Sequence, residues 1–386
     1  MTYYFDNAAT TKINTKVLEE MMPYLTEKYG NASSIYSLGR ESRKAIDTAR
    51  DKVAKALNAE SKEIYFTNSG TESDNWALKG IAYANKEKGK HIITSNIEHH
   101  AILHTCKYLE KQGFEVTYLP VNENGIVNIE DLKNAIREDT ILISVMFANN
   151  EIGTIQPIKE IGEIAKEKDI YFHTDAVQAV GNVEIDVKDL NIDLLSLSAH
   201  KLNGPKGIGV LYIKDGVKID NLLHGGSQEK TRRPSTENVA GIVGLGMAIE
   251  IATENIPQKA EYLKSLRQKT IDGLLQIPDT ILNGDPEKRL PGNVNVCFKY
   301  IEGESILLML DQLGICASSG SACTSGSLEP SHVLLAIGRP HEIAHGSLRL
   351  SFSKDNTEEE VDFLLEKLPP IIERLRKMSP LYNSSK

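Results

Sequence analysis

The sequence predicts an α/β fold, a mostly parallel seven-stranded sheet covered by helices, together with a smaller α+β domain. Three observations lead there. Between Glu63 and Ile213 short β-branched runs alternate with amphipathic helical stretches, the pattern of strand-helix-strand units. Polar residues with distinct chemistry stand at the ends of several of those runs, where open α/β sheets gather ligands. Near Glu237 the alternation gives way to a long helical stretch, then a polar segment at Gly284 to Lys288, then a strand at Asn293 to Lys299. The expected boundaries are 15–255 for the large domain, with 1–14 and 256–386 forming the small one.

The strands are expected at Glu63 to Thr67, His91 to Ser95, Glu115 to Pro120, Thr140 to Ala148, Ile170 to Thr174, Leu194 to Ser198 and Gly209 to Ile213. Each is short, β-branched and bounded by polar or glycine-containing turns. Helices are expected between them at Asp74 to Lys86, Ala101 to Gln112, Ile129 to Ile136 and Ile158 to Lys168. A capping-box pattern in Asn356-Thr-Glu-Glu-Glu360 starts a C-terminal helix. There are no internal repeats, and the last residues, Tyr382 to Lys386, read as a polar tail.

Composition narrows the function classes. A chain of 386 residues with 25% charged and 40% hydrophobic residues is an ordinary globular protein of roughly two domains. Its net charge of -9 argues against general nucleic-acid binding. No apolar run approaches the ~20 residues that span a membrane, and Met1 to Asp6 lacks a signal-peptide pattern, so the expected location is the cytoplasm. The four cysteines, Cys106, Cys297, Cys316 and Cys323, lack paired metal-site spacing and are too few for a disulfide scaffold. No metal is expected, and one cysteine is free to be a working thiol.

Lys201 lies just past the apolar run Leu194 to Ser198, beside His200 and 26 positions after the isolated acid Asp175. A pyridoxal cofactor needs a lysine amine to bind its aldehyde and an acid to keep its ring nitrogen protonated, and these two residues suit those roles. Taken singly, a surface lysine and a loop aspartate would be the ordinary reading. In Thr67-Asn-Ser-Gly-Thr-Glu-Ser-Asp74 a strand ends, a glycine turn follows and a helix begins, which makes a phosphate cradle with Gly70 and Thr71 as contacts. Three unlike groups suited to one cofactor therefore fall on one edge of one sheet.

The segments Phe5-Asp-Asn-Ala-Ala-Thr-Thr11, Ser69-Gly-Thr-Glu-Ser-Asp-Asn75, Glu98-His99, Asn149-Asn-Glu-Ile-Gly153, Asp175-Ala-Val-Gln178, Ser198-Ala-His-Lys201, His224-Gly-Gly226 and Ser318-Ser-Gly-Ser-Ala-Cys-Thr324 span nearly the whole chain. Through them the sequence resembles the group I cysteine desulfurases of the class V aminotransferases. The resemblance implies pyridoxal phosphate fold type I, the aspartate-aminotransferase-like fold. It further implies that pyridoxal 5'-phosphate is held covalently by Lys201, with Asp175 at its ring nitrogen and His99 stacked on the ring. By the same resemblance Gln178 and Asn150 hold the ring substituents, Asn150 also facing substrate. Thr71, Ser198 and His200 hold the phosphate, joined by Thr236 from the neighbouring subunit of a homodimer. The implied reaction converts L-cysteine to L-alanine and passes the sulfur, as a persulfide, to a protein acceptor such as an iron–sulfur scaffold, or to transfer-RNA thiolation.

Two further residues carry a case of their own. Ser318 to Ser327 is too polar and glycine-rich to bury Cys323 in a sheet or helix, and an exposed loop cysteine can act as a nucleophile. Cys106, Cys297 and Cys316 lie in apolar settings and are expected to be packed in the interior. Arg349 alternates with Leu348 and Leu350, so it faces away from them; a solvated strand arginine is the ordinary reading, and it is the resemblance that implies its planar guanidinium holds the substrate α-carboxylate with two parallel bonds. Arg232 and Arg233 rank below it. Beside His99, the rival His100 is set aside only by the resemblance. Ala32, Ser227 and Ser235 depart from residues common in the family, which affects loop geometry around Thr236. The nearer alternatives are a selenocysteine lyase or an aminotransferase on the same scaffold, which the loop cysteine argues against. A binding scaffold without activity would have no need of Lys201, Asp175, His99 and Cys323 together.

Overall fold

The computed structural model describes residues 2–319 and 330–383. Seven strands form its large sheet: β1 (Ile64–Thr67), β2 (His91–Ser95), β3 (Glu115–Leu119), β4 (Thr140–Ser144), β5 (Tyr171–Asp175), β6 (Leu194–Ser198) and β7 (Gly209–Ile213). Their order across the sheet is β1-β7-β6-β5-β4-β2-β3, and only β7 runs antiparallel to its neighbours. β2, β4, β6 and β7 are buried along their whole length, which explains why they read as apolar runs without alternation.

The helices on this sheet include α1 (Ser37–Leu57), α2 (Gly70–Ala84), α3 (His100–Lys111), α4 (Ile129–Ala135), α5 (Ile158–Glu167) and α6 (Val239–Thr253). α2 starts four residues before the expected Asp74, because Ser69 accepts the Glu72 N–H at 3.1 Å and the Glu72 carboxylate accepts the Asn68 N–H at 2.7 Å. Those two bonds satisfy donors that a helix start leaves open. β4 ends at Ser144 rather than Ala148, since the buried Glu98 carboxylate takes the Met146 N–H at 2.9 and 3.1 Å and bends the chain out of the strand. β5 runs one residue further than expected, so that Asp175 is its last residue.

α7 (Ile256–Leu275) and α8 (Glu358–Met378) pack with a three-stranded antiparallel sheet of β8 (Thr280–Leu282), β9 (Asn293–Phe298) and β10 (Ser347–Ser351) around a separate apolar cluster. Thr357 and Glu360 make the expected capping box at the start of α8. Phe5, fully buried, belongs to this second cluster, and its backbone is tied to Cys316 and Ser351. The Gly284 to Lys288 segment is more than a polar spacer: Gly284 has φ +81°, and a Cβ there would meet Ile152 O at 2.7 Å. No single helix among the described residues is long and apolar enough to cross a membrane.

Candidate functional site

A cleft of about 560 Å³ opens at the carboxyl ends of the large sheet's strands and is closed on its far side by β10. Ten of the residues singled out in the sequence line it: Gly70, Thr71, His99, Asn150, Asp175, Gln178, Ser198, His200, Lys201 and Arg349. Thr236 does not line it and is exposed on the surface. Cys323 lies outside the described residues.

Each side chain owes its place to a local feature. Lys201 ends a single tight turn, Ala199–Lys201, that follows β6 directly. Its Nζ donates to Ala8 O at 2.5 Å and Ala9 O at 2.7 Å, carbonyls of the N-terminal segment. Gln178 Nε2 donates to Ala8 O as well, at 3.0 Å. Asp175 closes β5, and its Oδ1 accepts the Val177 N–H at 2.9 Å. Burial pushes its pKa up to about 6, against the pull of that N–H and of the Lys201 charge.

His99 is the cap of α3, its Nδ1 accepting the Ala101 N–H at 3.2 Å. Burial and then the Lys201 charge hold its pKa below the ordinary value, so the ring is neutral at pH 7 with its proton on Nε2. The rival His100 turns instead toward the rings of His104 and His332, each 4.9 Å away, and is absent from the cleft lining. His200 Nδ1 pairs with Thr10 Oγ1 at 3.1 Å, and burial lowers its pKa to about 4.

Arg349 sits in β10 opposite Asn295, 2% exposed, with Leu348 and Leu350 turned into the second apolar cluster. The expected alternation therefore holds. Its Nη1 donates to Asn150 O at 3.1 Å and its Nη2 to Asp6 Oδ1 at 2.9 Å, while Nε is buried without a partner. That orphaned donor is what an incoming carboxylate would satisfy. Arg233 is clamped on Glu72 at 2.8 and 3.0 Å, and Arg232 lies over the Tyr65 ring, so neither competes with Arg349.

The lining also fits a pyridoxal phosphate. A buried carboxylate and a lysine amine share one cleft, and the 15-residue helix α2 aims its N-terminus at it. At Gly70 an added Cβ would come within 2.7 Å of Val177 Cγ2, so any larger residue would have to displace that side chain from the cleft wall. The hydroxyls of Thr71 and Ser198 stand on the same wall.

Asp6, the Ala8 and Ala9 carbonyls, Asp74 and Glu98 were present in the quoted segments without a role assigned from sequence. What gives them one is burial and contact between segments from 48 to 343 residues apart, which no spacing reveals. Cys106 and Cys297 are buried as expected, the latter accepting from Asn283 Nδ2 at 3.1 Å. Cys316 departs from expectation: it is only half-buried, because its strand is two residues long and, among the described residues, pairs only with Tyr3–Tyr4.

Strand order, a site at the carboxyl edge, and a second smaller sheet walling it define a fold type I protein of the pyridoxal phosphate enzymes. Solved structures agree. A NifS-like protein superposes with a TM-score of 0.92 at 43% identity, covering 97% of this chain and 100% of that one. A NifS-like protein from Rickettsia africae does so with 0.88 at 32% identity, again covering 97% and 100%. The family described as Aminotransferase class-V matches residues 3–364. The cysteine desulfurase IscS of Methanosarcina thermophila is 67% identical over 378 residues, 98% of this chain and 94% of that one. IscS of Clostridium botulinum is 64% identical over 382 residues, 98% and 96%. The chain belongs to the class-V aminotransferase family, whose enzymes depend on pyridoxal phosphate, and within it to the group I cysteine desulfurases.

Proposed function

We propose that this cysteine desulfurase converts L-cysteine to L-alanine with pyridoxal 5'-phosphate held by Lys201 and Asp175, and passes the sulfur through Cys323. The observation that carries the reading is the convergence of Lys201, Asp175 and the incompletely bonded Arg349 on one cleft. When bound, the cofactor supplies an electron sink that makes the substrate Cα–H acidic and weakens the Cβ–S bond. Every other task falls to side chains. Arg349 binds the α-carboxylate through its free Nε–H edge and fixes Cα in the cleft. Lys201 Nζ takes the Cα proton. Asp175, ionised beside Lys201, holds the proton on the cofactor's ring nitrogen. His99, kept neutral, covers the ring face and offers its Nε2–H as a donor. Thr71, Ser198 and His200, with the N–H groups at Gly70, hold the phosphate.

The sulfur step balances without an outside oxidant. The Cys323 thiolate attacks the substrate sulfur, an S–S bond forms as the Cβ–S bond breaks with its electron pair left on the Cβ side, Cβ takes up a proton, and Lys201 returns the proton it took to Cα to give alanine. The persulfide then goes to an acceptor, for which an iron–sulfur scaffold protein fits the role implied by the relatives' name. A homodimer in which the partner supplies its Thr236 completes the phosphate site. The large domain at 15–255 carries the cofactor groups, and residues 1–14 with 256–386 carry Arg349 and Cys323. The net charge of -9 disfavours direct nucleic-acid binding, and a cytoplasmic enzyme is the simplest setting for a free reactive thiol.

The test compares alanine formation from L-cysteine, with a reductant present, in the native enzyme and Cys323→Ala. Loss of alanine with the cofactor colour retained supports the persulfide route. Equal alanine from both overturns it in favour of a lyase of the selenocysteine-lyase kind.

A further inference from the structure

A second carboxyl shares the floor of the cleft with Asp175. Asp74, on the first turns of α2, is 1% exposed, and one of its oxygens lies within 4.8 Å of an Asp175 carboxylate oxygen and of a His99 ring nitrogen. Two buried carboxylates at that separation cannot both ionise cheaply. The groups facing Asp74 do not relieve the repulsion. His173 Nε2 stands 3.7 Å from Asp74 Oδ1, but that ring is fully buried and engaged by Ser144 Oγ at 2.9 Å and Ser196 Oγ at 3.0 Å. Burial drives its pKa down to about 3, so it carries no charge. Glu98, a third buried carboxyl nearby, adds repulsion when it is ionised and brings no positive charge.

The three acids differ in what they accept. Glu98 takes the Met146 N–H and the Ser95 O–H. Asp175 takes the Val177 N–H and feels the Lys201 charge. Asp74 Oδ1 has no hydrogen-bond partner, and the side chain's polar contact is with the Ser196 hydroxyl. A buried carboxyl with one oxygen unbonded, a single hydroxyl contact and no cation is in the environment of a neutral acid.

We propose that Asp74 is a positioning residue held as a neutral carboxylic acid, so that the Asp74 and Asp175 pair carries a single negative charge, placed on Asp175. Its contact with Ser196, and through it with His173, fixes the buried hydroxyl and imidazole chain behind Asp175 without adding a second charge there. The inference rests on the reading that Asp175 faces the cofactor's ring nitrogen.

Two measurements test it separately from that reading. In the cofactor-free protein, infrared difference spectra of native enzyme against Asp74→Asn should lose the carbonyl stretch of a protonated carboxylic acid. A missing band, whether Asp74 is ionised or bridged by a cation, overturns the proposal whatever the cofactor does. In the holoenzyme, the pH midpoint of the cofactor's absorbance change should move by less than about 0.3 units in Asp74→Asn, because no charge has been removed. A fall of about one unit or more would reveal an ionised Asp74 and overturn it. Asp74→Leu, similar in size but apolar, should weaken pyridoxal phosphate binding by about tenfold, with Asp74→Asn restoring it. Asp74→Leu binding the cofactor as the native protein does would overturn the positioning role. Failure of the native protein to take up pyridoxal phosphate would instead sink the proposed function and leave the infrared result standing.

Discussion

The two walls of the cleft are built on opposite principles. The large-sheet wall gathers carboxyls, hydroxyls and imidazoles at strand ends, with Glu98 and His173 buried behind it, and burial dominates throughout: Asp175 is pushed up to about 6, Glu98 to about 8, and His173 down to about 3. The β10 wall presents one guanidinium, already half-neutralised by Asp6 and by the Asn150 carbonyl, with one donor left over. The first wall is a low-dielectric floor on which a charge costs much and is therefore placed sparingly. The second holds a guanidinium whose planar fork suits a carboxylate. The difference suits the first wall to tuning a cofactor and the second to capturing an anionic substrate.

The sharpest way to break the comparison is at Lys201, which bridges the floor to the N-terminal segment. Lys201→Ala should lower alanine formation by at least about a thousandfold, the scale of losing a positioned base, while Asp175 and Arg349 keep their places. Appreciable turnover by this variant would remove Lys201 from its role.

Next comes the floor itself. Asp175 has a folded pKa raised from 3.8 to about 6, so between those values the folded state holds a proton that the unfolded chain has released. Through this group, stability is greatest at low pH, declines as pH rises from about 4 to about 6, and stays reduced above that. In cofactor-free protein Asp175→Asn should remove a decline of about 3 kcal/mol, read as the difference between the two proteins' denaturant midpoints at pH 4 and pH 7. Parallel pH profiles for the two would show that the floor does not penalise this charge.

The β10 wall should respond in binding rather than in stability. Arg349→Ala should raise KM for L-cysteine by about thirtyfold with cofactor retained, the cost of a charge-assisted pair of hydrogen bonds. Asp6→Asn should raise it by only about threefold, since Asn150 still steers the guanidinium. A KM that falls in Asp6→Asn would recast Asp6 as a competitor of the substrate carboxylate.

Much of the first wall was legible in the sequence, because cofactor groups at strand ends are local: Asp175 follows its strand, Lys201 follows the next, and Gly70 opens a capped helix. The seven strands were legible for the same reason, their ends marked by turns. The end of β4 was not, because it is set by Glu98, 48 residues away in sequence to Met146. Nor was the pairing of Arg349 with Asp6, across 343 residues, or the carboxyl pair of Asp74 and Asp175. These contacts exist only once separate elements meet. His99 over His100 was separable only by the resemblance; the cap geometry of α3 now supplies the physical reason, turning one ring to the cleft and the next toward His104 and His332.

The pairing of the chain's first residues also bears on how the protein is made. Tyr3 and Phe5 hydrogen-bond to Gly314 and Cys316, Ser351 N–H reaches Phe5 O, and Ala8 N–H reaches Ser351 Oγ. A ribosome releases Phe5 long before residue 351 exists, so an apolar side chain destined for full burial waits without its partners through most of synthesis. The Ala8 and Ala9 carbonyls that steady Lys201 wait with it. The cleft thus joins Asp6, Ala8 and Ala9 to Lys201 and to Arg349, and it is complete only when those distant segments have met.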